Sequence, residues 1–150
     1  MEKLLKREKM KTNYKIIAKY IKNLKFEIPN PDVFYQLTEN ISNYKININI
    51  KSNQLKEKIV EVETALELKP IKDDFEKINT QIVYSTIIEI ENLTDDKKIL
   101  EEIILIKVPT EIYSELRSIF IFLFERSGFK KIKIDEKVDF KKLYSQRTVQ

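Results

Sequence analysis

The sequence predicts an α+β fold: a four-stranded antiparallel sheet, followed by two helices packed on one of its faces and a short carboxy-terminal helix. Three observations carry this expectation. Four runs of apolar/polar alternation at period two lie between Tyr14 and Glu91, the patterning turns helical at Asp95, and the second helical stretch is apolar almost all round.

The first strand is expected to place Tyr14, Ile16, Ala18, Tyr20, Leu24, Phe26 and Ile28 on one face and Lys15, Lys19, Asn23, Lys25 and Glu27 on the other, ending at Pro29-Asn30-Pro31. In the second, Tyr44, Ile46, Ile48 and Ile50 alternate with Lys45, Asn47, Asn49 and Lys51, and Ser52-Asn53 begins a turn. The third sets Val60, Val62, Thr64, Leu66 and Leu68 against Glu61, Glu63, Ala65 and Glu67, and the fourth sets Ile78, Thr80, Ile82, Tyr84, Thr86, Ile88 and Ile90 against Asn79, Gln81, Ser85, Glu89 and Glu91. Short connections make the last three an antiparallel meander. Thr94 is expected to cap a helix that opens with Asp95-Asp96, whose charges suit the positive end of the helix dipole, and that runs through Ile106. A second helix restarts at Pro109-Thr110-Glu111, with Ile112, Leu116, Ile119 and Leu123 on one stripe and Tyr113, Phe120 and Phe124 on the next, and stops at the lone Gly128. One sheet covers only one side of such a helix, so Ile112, Leu116, Ile119, Phe120, Leu123 and Phe124 are assigned to a subunit interface, the alternative being cover by the chain's own carboxy-terminal segment. A loop, Phe129–Val138, leads to a short amphipathic helix with Phe140, Leu143 and Tyr144.

With 150 residues and no visible linker, one domain over residues 13–147 is expected, with short tails at 1–12 and 148–150, the first of them disordered. Composition removes most catalytic chemistry. There is no Cys and no His, hence no thiol nucleophile, disulfide, imidazole acid–base pair or Cys/His zinc site, and one Gly is too few for a phosphate-cradling loop. The remaining carboxylates, lysines, tyrosines and serines match no known catalytic spacing, so neither an enzyme nor a cofactor is expected. The first fifteen residues have no apolar signal core and the longest apolar run, Ile119–Phe124, is too short to span a bilayer; a cytoplasmic protein without membrane insertion is expected.

The net charge of +4 is segregated: residues 1–25 carry +7 and residues 130–150 carry +4, which leaves −7 for the middle. A basic amino terminus can attract nucleic acid, but no nucleic-acid motif accompanies it, so it is read as a solvated tail and no nucleic-acid partner is expected.

Tyr20-Ile21-Lys22-Asn23-Leu24-Lys25-Phe26-Glu27-Ile28-Pro29-Asn30, Ile90-Glu91-Asn92-Leu93, Pro109 with Arg117 in the long helix, Ser127-Gly128-Phe129 and Val138-Asp139-Phe140-Lys141-Lys142-Leu143-Tyr144 follow one another in an order and spacing that resemble the SecB family of bacterial protein-export chaperones. The resemblance runs over roughly residues 14–147. It implies a homotetramer, a dimer of dimers, that binds unfolded preproteins in apolar grooves without ATP and hands them to the translocation ATPase SecA. Positions that match the family's client groove are Phe34, Tyr44, Ile46, Ile48, Ile132, Ile134, Val138, Phe140, Leu143 and Tyr144, the last helix being a candidate lid. Of the positions matching the SecA-binding face, Glu27 keeps its charge while Asn23 and Gln81 are neutral and Asn79 replaces an apolar contact. Either SecA docks through other carboxylates such as Glu61, Glu63 or Glu89, or delivery is modified or lost. A SecB-like chaperone dedicated to one partner, such as an antitoxin, is the alternative use of the same fold.

Overall fold

The structure, a computed structural model, describes residues 13–72, 78–92, 95–129 and 132–148. The tail expected at 1–12 and the cap expected at Thr94 lie outside the described residues. Four strands, β1 (Tyr14–Glu27), β2 (Tyr44–Gln54), β3 (Ile59–Pro70) and β4 (Asn79–Ile90), form one antiparallel sheet in the order β1-β4-β3-β2. β2, β3 and β4 make the expected meander, and β1 joins on the far side of β4. Registers align apolar residues in ranks: Ile48 faces Leu66, Leu66 faces Ile82 and Ile82 faces Leu24, all on the helix-bearing face.

β1 departs from simple alternation. Its pairing with β4 slips between Ile16 and Ala18 and again between Ile21 and Asn23, so Ile17 and Lys22 are extra residues opposite no partner. Each slip exchanges the faces. Ala18 and Tyr20, expected beside Ile16 and Leu24, therefore point to the opposite side, while Lys19 and Ile21 take their place toward the helices. Lys19 uses that position to pair with Glu115 at 2.6 Å.

Between β1 and β2 the chain forms a helix that the alternation did not announce, α1 (Pro31–Asn40). The Asn30 side chain accepts from the Val33 N–H at 2.9 Å, and Pro31 sits in the first turn, where its missing N–H costs nothing. Val33 and Leu37 anchor α1 in the core.

The two helices expected after the sheet are one continuous backbone. α2 (Lys97–Glu102), capped by Asp96, runs through a π-helical turn (Ile103–Lys107) into α3 (Val108–Arg126). Pro109 does not break it. A proline inside an α-helix lacks one N–H and presses on the preceding turn; the wider turn just before Pro109 relieves both. Val108, Ile112, Leu116, Phe120 and Phe124 face the sheet and are fully buried. α3 ends on the left-handed Gly128, with the Phe129 N–H bonded to the Phe124 carbonyl at 3.0 Å and the Gly128 N–H to that of Glu125 at 3.2 Å. The last helix, α4 (Phe140–Thr148), starts where the Asp139 carboxylate accepts from the Lys142 N–H at 3.0 Å.

Candidate functional site: an apolar hollow beside an edge strand

Because β2 pairs only with β3 among the described residues, its outer side is a sheet edge. Ile46 and Ile48, on the helix-bearing face, extend beyond the reach of α3. The carboxy-terminal segment fills part of that space and leaves part open. It is strapped to α3 by two side chains one turn apart: the Tyr113 hydroxyl donates to the Asp135 carbonyl at 2.7 Å and Arg117 Nε to the Ile134 carbonyl at 3.0 Å. Burial pushes the Tyr113 phenol above its ordinary pKa, which keeps its proton in that bond. The gap between segment and strand is a hollow of about 720 Å³, walled by Tyr44, Ile46 and Ile48 on one side and by Ile132, Ile134, Val138 and Leu143 on the other. Lys45, Lys133 and Asp135 also line it. Seven of the ten residues assigned to a client groove thus surround one hollow.

The other three lie elsewhere. Phe140 and Tyr144 line a smaller adjoining hollow of about 220 Å³ with Ile48, Ile50, Leu105 and Leu143. Phe140 is itself buried against Tyr113, ring centroids 5.9 Å apart, and the Tyr144 hydroxyl donates to Glu101 at 2.6 Å, so α4 is held at both residues in this conformation rather than standing free as a lid. Phe34, on α1, stacks on Phe129 at 4.9 Å and lines a separate hollow with Phe26 and Ile28.

Glu27, Asn23, Asn79 and Gln81 share the sheet face opposite the helices: Glu27 pairs with Asn79, Lys25 with Gln81 and Asn23 with Val83. The Asn79 amide donates to Glu27 at 3.4 Å. The carboxylates suggested as substitutes behave differently. Glu61, only 5% exposed, accepts from Ser85 Oγ at 2.7 Å, Lys22 Nζ at 3.1 Å, Asn53 Nδ2 at 3.2 Å and the Tyr20 hydroxyl at 3.3 Å. Those donors come from the three other strands. The Ser85 bond, opposed by desolvation and reinforced by Asn53 and Lys22, brings its pKa down to about 2. Glu61 is therefore internally engaged, and Glu63 is tied to Lys22 at 2.8 Å. The alternation hid this cluster because it depends on the Lys22 bulge and on residues far apart in the chain.

The assigned subunit interface is redistributed. Ile112, Leu116, Phe120 and Phe124 are buried in the chain's own core, and the carboxy-terminal segment covers the Tyr113 flank of α3, as the own-chain alternative had it. Ile119 and Leu123 remain half-buried, and beside them Phe122 is 54% exposed under the Arg126 guanidinium, 5.2 Å from its ring centroid.

Taken together, the architecture is that of a binding protein: an open apolar hollow beside a sheet edge, with no cluster of three or more potential metal ligands among the described residues. The family model for SecB, described as preprotein translocase subunit SecB, matches residues 7–150. A Pelagibacter ubique protein provisionally assigned as protein-export protein SecB is 39% identical over 138 residues, covering 92% of this chain and 99% of its own. The protein-export protein SecB of Rhizorhabdus wittichii is 27% identical, covering 90% of this chain and 79% of its own. Among solved structures, a SecB-like chaperone of Mycobacterium tuberculosis, in complex with a peptide from an antitoxin, superposes with a TM-score of 0.58 at 8% identity over 91% of this chain and 95% of its own, a likeness of fold. The chain belongs to the SecB family of protein-export chaperones. Chaperones of this family bind unfolded client proteins and are not enzymes. No helix among the described residues is long and apolar enough to cross a membrane.

Proposed function

We propose that this chain is an ATP-independent holdase that captures unfolded preproteins along the β2 hollow, keeps them export-competent and releases them toward SecA. The single observation that supports this most is the hollow itself, an apolar trough open to solvent beside the edge strand β2. An extended chain laid there buries its apolar side chains at about 25 cal/mol per Å² before ordering costs, with no need of a sequence code. Reversible capture without ATP makes the outcome a competition between client folding and rebinding, so slow folders are retained. Several weak contacts along one wrapped client would supply the overall affinity, which is the advantage of a homotetramer.

Delivery to SecA would use the open sheet face around Glu27, with Asn23, Asn79 and Gln81 contributing hydrogen bonds instead of charge. A dedicated antitoxin chaperone is the less supported reading, since the relatives of substantial identity bear export names and the antitoxin-bound neighbour shares the fold alone. A photo-crosslinking residue at Ile132 tests the site: it should capture a freshly diluted, urea-unfolded precursor and ignore the folded form. Crosslinks from an exposed position on the opposite face, such as Asn79, with none from Ile132, would contradict it.

A further inference from the structure

We propose that the hollow selects extended apolar segments flanked by acidic residues, so that the preferred clients are unfolded proteins with carboxylates beside their apolar stretches. The inference rests on the hollow being the client site and adds the chemistry of the occupant.

Charge is distributed unevenly over the two walls. From Asn40 to Lys56 the sequence contains no acidic residue, and this stretch, which includes all of β2, carries Lys45, Lys51 and Lys56. Lys45 lines the hollow from that side and Lys133 from the other, against Asp135 as the single acidic lining residue. Further along the second wall Lys137, Lys141 and Lys142 are exposed beside Glu136 and Asp139, and the Asp139 carboxylate is occupied with the start of α4.

Lys19 is paired with Glu115, Lys22 with Glu61 and Glu63, and Lys69 with Glu67 at 3.9 Å. Among the described residues, Lys45 and Lys133 have no carboxylate within ion-pair distance. Both line an apolar trough whose wall Ile46, Ile48 and Leu68 help to form. A low-dielectric wall beside a charge strengthens its field, so a ligand carboxylate gains there and a ligand ammonium is opposed. The chain's own amino terminus is a poor occupant for the same reason, since its first twelve residues hold five Lys/Arg against Glu2 and Glu8.

Three labelled peptides test this, sharing one apolar stretch and flanked by Asp/Glu, Ser or Lys, titrated with the full chain by fluorescence anisotropy. At low ionic strength the acidic peptide should bind about three- to thirty-fold tighter than the basic one, as expected for a few solvent-exposed ion pairs, and the gap should shrink in about 0.5 M salt. The double variant Lys45→Glu with Lys133→Glu should reverse the order of the acidic and basic peptides. Capture of all three peptides with equal affinity, or a preference for the basic one, would overturn the charge inference while sparing the client site. No binding of any peptide would overturn the client site itself and the inference with it.

Discussion

Gly128 does two jobs with one missing side chain. At φ 98° it ends α3 in a conformation that costs other residues about 1–2 kcal/mol, and a Cβ there would stand 3.2 Å from the Phe34 ring. Gly128→Ala should lower stability by about 1–3 kcal/mol, read as a fall in the thermal midpoint. The cap was legible from the sequence, because a lone glycine after an apolar helix has few other reasons to be there; the Phe34 contact was not, since it depends on α1. Glu61 gives a pH signature. Its folded pKa of about 2 lies below the ordinary 4.5, so its stabilisation is complete above about 4.5 and is lost as pH falls toward 2. Glu61→Gln should cost about 1.5–3 kcal/mol at neutral pH and flatten the loss of stability between pH 5 and 2, measured by urea unfolding across that range. An unchanged acid profile would mean that the four-strand cluster contributes nothing. Alternation located Glu61 on the helix-free face but carried no information about partners from three other strands.

Elements show where pattern reading holds and where it fails. β2, β3 and β4 alternate strictly and pair as the pattern implies, because each residue has a partner in the ladder. In β1 two unpaired residues shift the faces while leaving the composition strand-like, so no period-two count detects them. α1 was legible in principle: Asn30 before Pro31 is a helix start, outweighed in the reading by the proline's power to end a strand. The long helix was read as apolar nearly all round, yet Glu111, Ser114 and Glu115 give its first half an exposed polar face, and the sheet takes Leu116, Phe120 and Phe124 while the carboxy-terminal segment takes Tyr113. Two substitutions separate these faces. Phe120→Asp places a charge in the core and should unfold the chain, whereas Leu123→Asp should keep the circular-dichroism spectrum and yield smaller species by light scattering. A full-size oligomer of Leu123→Asp would exclude that side of α3 as a subunit contact.

For the whole molecule, helices on one face, a carboxylate-stapled sheet on the other and an apolar hollow at one edge divide the surface into three regions, for which assembly, delivery and capture are the proposed roles. Of the hollow, Tyr44, Ile46 and Ile48 stood out in the sequence by their alternation, while the opposite wall was assigned by family resemblance, because the loop held by Tyr113 and Arg117 offers only the two alternating residues Ile132 and Ile134. The proposed role of this surface is to distinguish unfolded from folded clients. Sedimentation of the purified chain, alone and mixed with a urea-unfolded precursor just diluted into buffer, tests it directly, with the folded precursor as control. A tetramer that co-sediments with the unfolded form only is the expected result; a monomer indifferent to both, or equal binding of the folded precursor, would refute client capture by this surface.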